Sequence, residues 1–451
     1  IFLFILLGVL GAKASDFEAG GIYYNRISGA TGQVEVTSGS VKYSGSVVIP
    51  SMVTYDGTTY SVTSIKQGAF LNCSGLTSVT LPESVTYIGW SAFKGCSGLT
   101  SVTLPESVDT IDMNAFYGCT SISSPLYNSK VFAYMPQNYS GEYAIPDGIQ
   151  SIAPTAFYEC TGLATVTIPE SVTTIGEEAF GYCSGLTSVT IPHSVTSIGS
   201  KAFYSCSGLT VYYTGNIAQW CGIEFGQTIS NNAWSLYIDN VKVTDLLIPD
   251  GMSSIGNRAF ERCSGLTSVT IPNSVTSIGH SAFWGCSGLT SVTSLATTPP
   301  TCGGSVFTRW DTLYVPYGCK AAYEAAEEWK RFAVIKEIMP IYTVGVSANN
   351  SDWGSVSQSG NGTYDLASSA TLTATPNEGY HFVKWNDDNT ENPRVLTVTR
   401  DTAFTAEFAI NTYTVTVNVN DESMGTVTGG GEYEHGEPVT LTATPDENYH
   451  F

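Results

Sequence analysis

The sequence predicts a mainly β chain: a solenoid of 23-residue coils with a β cap before it and a helical cap after it, followed by small β-modules. Three observations carry this prediction. Charged residues make up only 13% of the 451 residues, about half the usual share for a globular protein. Gly, Ser, Thr and Tyr fill the difference, a composition suited to strands joined by tight turns. The second observation is a repeat, Ala-Phe followed three residues later by Cys. It recurs at Phe70/Cys73, Phe93/Cys96, Phe116/Cys119, Phe157/Cys160, Phe180/Cys183, Phe203/Cys206, Phe260/Cys263 and Phe283/Cys286. The third is alternation: in each unit Leu, Val and Ile interleave with Ser and Thr, as in Leu186, Val189 and Ile191 around Ser188 and Thr190.

Residues 1–14 read as a secretory leader. Ile1–Leu10 is apolar but too short to span a bilayer, and Ala12-Lys13-Ala14 supplies small residues for cleavage. With no initiating Met and no basic segment before it, the leader reads as clipped at its start. No other stretch is long and apolar enough to span a membrane, so the mature protein is expected to be exported. Residues 15–52 alternate like a β-meander and are expected to cap the N-terminal end.

Residues 53–340 are assigned to the solenoid and its C-terminal cap. The unit is clearest over Leu186–Cys206, LTSVTIPHSVTSIGSKAFYSC. Leu186, Val189 and Ile191 should line one buried wall, Pro192 should end strand pairing, and Val195 and Ile198 should turn back inward. Gly199 should turn the chain, and Ala202, Phe203 and Cys206 complete the core. A period of 20–29 residues with Leu-x-x-Val-x-Ile is a leucine-rich-repeat signature, and no coil buries its apolar set alone. About a dozen coils fit between residues 45 and 320. Longer gaps after Cys119 and Cys206 mark divergent coils. At the end, Ala321–Phe332 (AAYEAAEEWKRF) reads as the only convincing helix, closing the last coil.

The unit LTSVTIPxSVTSIGxxAFxxCSG resembles the BspA-like leucine-rich repeats of bacterial surface proteins, over about two-thirds of the chain. VVIPSMVTYDGTTYSVTSI before it and LYVPYGCKAAYEAAEEW after it resemble the flanks of that family in Bacteroides-type bacteria. The resemblance implies a secreted or cell-surface bacterial protein that binds host matrix, host cell-surface proteins or other bacterial cells. It supplies no catalytic residues. Residues 341–410, with ATLTATPNEGYHFVKW at their centre, resemble the divergent internalin-type B-repeat. Residues 411–451 resemble a second copy, truncated after VTLTATPDENYHF. Such modules imply a spacer, with any anchoring signal beyond Phe451.

Net charge is −21, so a phosphate backbone or an anionic lipid surface is a poor partner and nucleic acid is excluded. The repeat Cys share one phase. Free, buried thiols acting as small hydrophobes are the favoured reading, with disulfides between column neighbours as the alternative. No Cys-x-x-Cys favours zinc. Cys302 and Cys319, off the column, form the better disulfide candidate, and Cys221 has no obvious mate. Glu83, Glu106 and Glu170 share a phase with His193 and Asn273. They read as a solvated stripe, short of the six to eight oxygens calcium takes. The five His occupy scattered phases outside any catalytic motif. No cofactor is expected.

Candidate contact residues are the outward strand positions Ser78, Thr80, Ser101, Thr103, Thr165, Thr167, Ser188, Thr190, Ser268 and Thr270, which continue at Ser291 and Thr293. Thr suits a strand in any case; the functional reading is a hydroxyl ladder forming an extended contact face. The turn aromatics Tyr87, Trp90 and Trp284, with Tyr117, Tyr158, Tyr182 and Tyr204, supply anchors or ordinary packing between coils. The expected function is non-enzymatic adhesion or protein–protein interaction. The alternatives are a carbohydrate-binding surface protein and a structural surface-layer component.

Overall fold

Each 23-residue unit lays down two strands where the sequence predicts one. The computed structural model describes residues 15–451, so the leader assigned to residues 1–14 lies outside the described residues. In the unit quoted above, Ser188–Ile191 is followed by the two-residue strand Ser197–Ile198. The longer strand pairs in parallel with its neighbours in adjacent coils, Thr165↔Ser188 and Thr167↔Thr190. The shorter one does the same on a second face, Thr174↔Ser197 and Ile175↔Ile198. Both registers are offset by one 23-residue coil, which is how a sequence period becomes a stack.

The expected inward set is buried: Leu186, Val189, Ile191, Val195, Ile198, Ala202, Phe203 and Cys206 all lie in the core. Burying each large aliphatic or aromatic side chain contributes roughly 1.5–3 kcal/mol. Gly199 lets the coil approach the one before it, since a Cβ there would lie 2.5 Å from the Glu177 amide nitrogen. Two residues per coil take left-handed backbone, such as Glu178 and Tyr182, or Lys201 and Ser205, and they fold the Ala-Phe-x-x-Cys corner.

Phenylalanines stack through the centre. Ring centroids are 4.8 Å apart for Phe70–Phe93, 5.2 Å for Phe93–Phe116 and 5.3 Å for Phe180–Phe203, with rings within 8° of parallel. Two interruptions match the long gaps in the repeat. After Phe116, a hairpin of Leu126–Tyr127 with Val131–Tyr134 inserts Tyr134, and Phe132 restarts the stack against Phe157 at 4.7 Å. Buried Asn128 holds this insertion, donating through Nδ2 to the carbonyls of Pro105 (2.8 Å) and Val108 (2.7 Å). After Phe203, Trp220 and Trp234 bridge to the next coils. Their indoles donate to the carbonyls of Ala259 (2.8 Å) and Glu261 (2.7 Å).

The long-strand face is therefore divided into three sheets. They run from Gly45–Val48 to Ser101–Thr103, from Ser140–Ala144 to Val241–Lys242, and from Asp245–Leu247 to Val334–Ile338. At the N-terminal end, Phe17–Ala19, Ile22–Arg26 and Gln33–Thr37 form the expected antiparallel meander. Gly45–Val48 already pairs in parallel with Leu76–Thr80, so solenoid strands begin inside the segment assigned to the cap.

The C-terminal cap corrects the helix expected over Ala321–Phe332. The α-helix covers only Lys320–Ala325, Ala326 is extended, and Trp329–Arg331 forms a separate 3-10 turn. The physical cause is Trp329, whose indole donates to the Pro300 carbonyl at 2.8 Å and pulls the chain off the helix axis. Nor is that helix alone: Ile217–Cys221 forms another, started by Asn216 and Gln219 in a reciprocal capping box.

A second compact unit starts at Ile338. Its first module packs a four-stranded and a three-stranded sheet around Val344, Leu372, Trp385 and Phe408. The segment from Asn411 to Phe451 forms two short strand pairs, Thr412–Val415 with Gly431–Glu434 and Gly425–Thr428 with Thr442–Pro445.

Candidate functional site

The outward strand positions stand in register as pairs: Ser78↔Ser101 and Thr80↔Thr103 in the first sheet, Thr165↔Ser188 and Thr167↔Thr190 in the second, Ser268↔Ser291 and Thr270↔Thr293 in the third. The structure thus gives three separate patches rather than one unbroken ladder, because the insertion after Cys119 separates the first sheet from the second and the antiparallel strand Val241–Lys242 ends the second. Thr80, Ser101, Thr103 and Thr167 are exposed, whereas Ser78, Thr165, Ser188, Thr190, Ser268 and Thr270 are half-buried. Some hydroxyls are engaged internally. Ser78 Oγ donates to Ser46 Oγ at 2.7 Å, and Ser268 Oγ donates to Asp245 Oδ1 at 2.6 Å. The hydroxyls of Ser268 and Thr267 hold the Asp245 carboxyl below the usual carboxylate range.

The aromatic candidates do not join these patches. Tyr87 lies on a short strand of the opposite face, and its hydroxyl bonds Asp112 Oδ2. Burial, then that hydrogen bond, pushes its pKa up to about 12. Trp90 is 45% exposed at the following corner. Trp284 is half-buried beneath the Arg262 guanidinium, 4.4 Å from the ring centroid. Tyr117, Tyr158, Tyr182 and Tyr204 form a row of tilted and edge-to-face contacts, 5.3 to 5.6 Å between centroids, so they pack coil against coil as well as facing solvent.

Glu106, Glu170 and His193 of the post-proline column make contacts between coils. Glu106 accepts from the backbone amide of Ser129 at 3.0 Å and from its hydroxyl, which holds its carboxyl low. Glu170 Oε2 lies 3.0 Å from His193 Nδ1, and Thr214 Oγ1 donates to Glu170 Oε1 at 3.0 Å. Thr214 and Glu170 both approach the same imidazole nitrogen, so the trio is not a relay in which a base is oriented from one nitrogen and acts through the other. All eleven Cys are free, including Cys221, Cys302 and Cys319.

Sequence reasoning missed Tyr212 and Tyr237. They occupy the outward column one and two coils beyond Thr190, in the register Thr190↔Tyr212↔Tyr237. With Thr190, Thr214, Asp239 and Asn240 they line an open depression of about 490 Å³. The signal was present in Val211-Tyr212-Tyr213-Thr214, where two aromatics replace the usual alternation, but it lies outside the regular period.

The BspA type leucine rich repeat region matches in six copies, over residues 57–138, 128–220 and 227–315. The divergent InlB B-repeat domain matches over 342–412 and 415–451. No curated protein matches the chain. Among solved structures, the chain is similar to a leucine-rich repeat protein from Bacteroides ovatus. Identity is 23% and the TM-score 0.38, over 74% of this chain and 95% of that one. It is also similar to a leucine rich cell surface protein from Faecalibacterium prausnitzii, at 25% identity and TM-score 0.34, over 71% and 94% of the two chains. A leucine rich repeat protein of T. pallidum matches at 27% identity and TM-score 0.31, over 47% and 85%. With the repeat model covering more than half its length, the chain belongs to the BspA-type leucine-rich-repeat family and carries divergent InlB B-repeats after the solenoid.

Proposed function

We propose that this protein is a non-enzymatic adhesion or interaction protein of the bacterial surface, exported, and that it engages macromolecular partners through the long-strand face of its solenoid. The supporting observation is the register: Thr80 and Thr103, then Thr167, project from parallel strands as exposed hydroxyl positions on a rigid scaffold. Exposed patches of this kind suit an extended partner, with affinity concentrated in a few anchors. Host matrix glycoproteins, host cell-surface proteins and other bacterial cells are the partners in view. A cell-surface role is supported by the repeat family, and no helix among the described residues is long and apolar enough to cross a membrane. The B-repeat unit, folded around its own core, serves as spacer.

The test compares residues 15–340 with residues 341–451 on an immobilised panel of matrix glycoproteins and on whole bacterial cells. Binding should follow the solenoid fragment. Because protein and many host surfaces are acidic, it should change little with added salt. Binding carried wholly by residues 341–451 would overturn the assignment.

A further inference from the structure

We infer that the depression at Tyr212 and Tyr237 is a binding site for a neutral saccharide, the size of a terminal mono- or disaccharide. The inference deepens the proposed binding role of the strand face and rests on it. Four observations converge. The column of outward hydroxyls changes at this point to two tyrosines on adjacent parallel strands, 5.1 Å between ring centroids and tilted by 41°. Both rings are half-buried, so they present a fixed apolar surface at low entropic cost, suited to the C–H face of a pyranose.

Polar groups surround that platform. Asp239 and Asn240 form the two-residue turn closed by Ile238↔Val241, and both have left-handed backbone, with φ of 51° and 60°. A turn of this type matches the twist of its strands and sets both residues at the rim of the depression. A carboxylate accepts only, an amide both donates and accepts, the Thr190 hydroxyl does either, and the Thr214 hydroxyl, which already donates to Glu170, can accept. Vicinal sugar hydroxyls need that mixture.

The scaffold beneath is stiff. Tyr213 turns inward and packs edge-on against Trp220 at 5.1 Å, and Trp220 in turn bonds the Ala259 carbonyl. The hairpin strand Val241–Lys242 pairs along the sheet edge beside Tyr237, so a peptide cannot pair directly with the Tyr237 strand. Charge selects among sugars: Asp239 lines the depression, Glu170 lies behind Thr214, and the chain carries −21 overall, which disfavours sialylated and uronic ligands. A volume of about 490 Å³ falls within the range of small-ligand sites, roughly 300–1,000 Å³.

The experiment is saturation-transfer NMR on the full chain with lactose, maltose and cellobiose, and with 6′-sialyllactose as the anionic comparison. At least one neutral disaccharide should receive saturation on its ring protons, and 6′-sialyllactose should receive less than lactose. Tyr212→Thr with Tyr237→Thr installs the residue the column carries at Thr190, so the fold should persist. The signal should fall by about tenfold or more, as expected for loss of the aromatic anchors. If that double variant melts early, Asp239→Gly, which suits the left-handed backbone of the exposed turn, should give a comparable loss. No transfer to any neutral disaccharide, equal transfer to the sialylated one, or an unchanged signal in the variants would overturn the inference. Failure here, with the solenoid fragment still capturing matrix glycoproteins, would remove the saccharide site and leave the protein-binding face standing.

Discussion

The thiol of Cys183 donates to the backbone carbonyl of Phe157, 2.9 Å away in the preceding coil. The same bond recurs from Cys96 to Phe70 (3.0 Å), Cys119 to Phe93 (3.1 Å), Cys206 to Phe180 (3.2 Å) and Cys286 to Phe260 (3.0 Å). The repeat position therefore needs a small apolar side chain that also donates a hydrogen bond, and Cys meets both demands. Cys183→Ala should lower stability by about 1–2 kcal/mol, from the lost donor and the small void. Cys319→Ala, at a half-buried site off the column, should stay within about 0.5 kcal/mol. Denaturant unfolding of the two variants checks this, and equal losses would contradict a role for the bond.

Free thiols also predict chemistry. Unfolded in denaturant, the chain should titrate all eleven Cys with a thiol reagent, while the folded protein should react at few of them. Fewer than four reactive thiols after unfolding, short of the eight that share the repeat phase, would point instead to disulfides in the column.

Burial pushes the thiols of Cys160, Cys206, Cys221 and Cys263 up to about 12. An unfolded thiol titrates at about 8.5, so the unfolded chain releases these protons first as pH rises. Stability from the buried thiols is complete below that pH and declines toward the folded-state value, by up to about 1.4 kcal/mol per thiol per pH unit. The melting temperature should hold near neutrality and fall above about pH 8.5. A Cys160→Ala, Cys206→Ala variant should show a shallower fall; identical slopes would contradict the mechanism.

The second interruption is bridged by Trp220 and Trp234, whose indoles bond the carbonyls of Ala259 and Glu261. Coupling in a solenoid is a nearest-neighbour property, so weakening one interface should uncouple the segments on either side. Replacing both with Phe should cost about 1–3 kcal/mol and split the solenoid's calorimetric transition into two. A single, merely shifted transition would show that other contacts carry the coupling.

Much of this was legible in the sequence because a repeat multiplies its own signal. Leu186, Val189, Ile191, Phe203 and Cys206 recur at fixed phase, and each lies where alternation puts it, in the core. The short second strand was not legible, since the two residues Ser197–Ile198 are too few to show a period and become a strand only by pairing with the next coil. The helix at Ala321 was overextended because propensity cannot register Trp329 reaching Pro300. The contact face looked continuous because the repeats on either side of each insertion are alike. Only the fold shows where the sheets break and that the segment after Cys206 places Tyr212 and Tyr237 in the hydroxyl column.

Replacing Thr80, Thr103 and Thr167 together with Lys, and measuring capture of the full chain by the matrix-glycoprotein panel and by bacterial cells, tests the strand face itself. All three side chains are exposed, so the melting temperature should be nearly unchanged. Three bulky cations across the face should weaken capture by about tenfold or more. Capture equal to that of the unaltered protein, with the fold intact, would contradict the strand face as the binding surface.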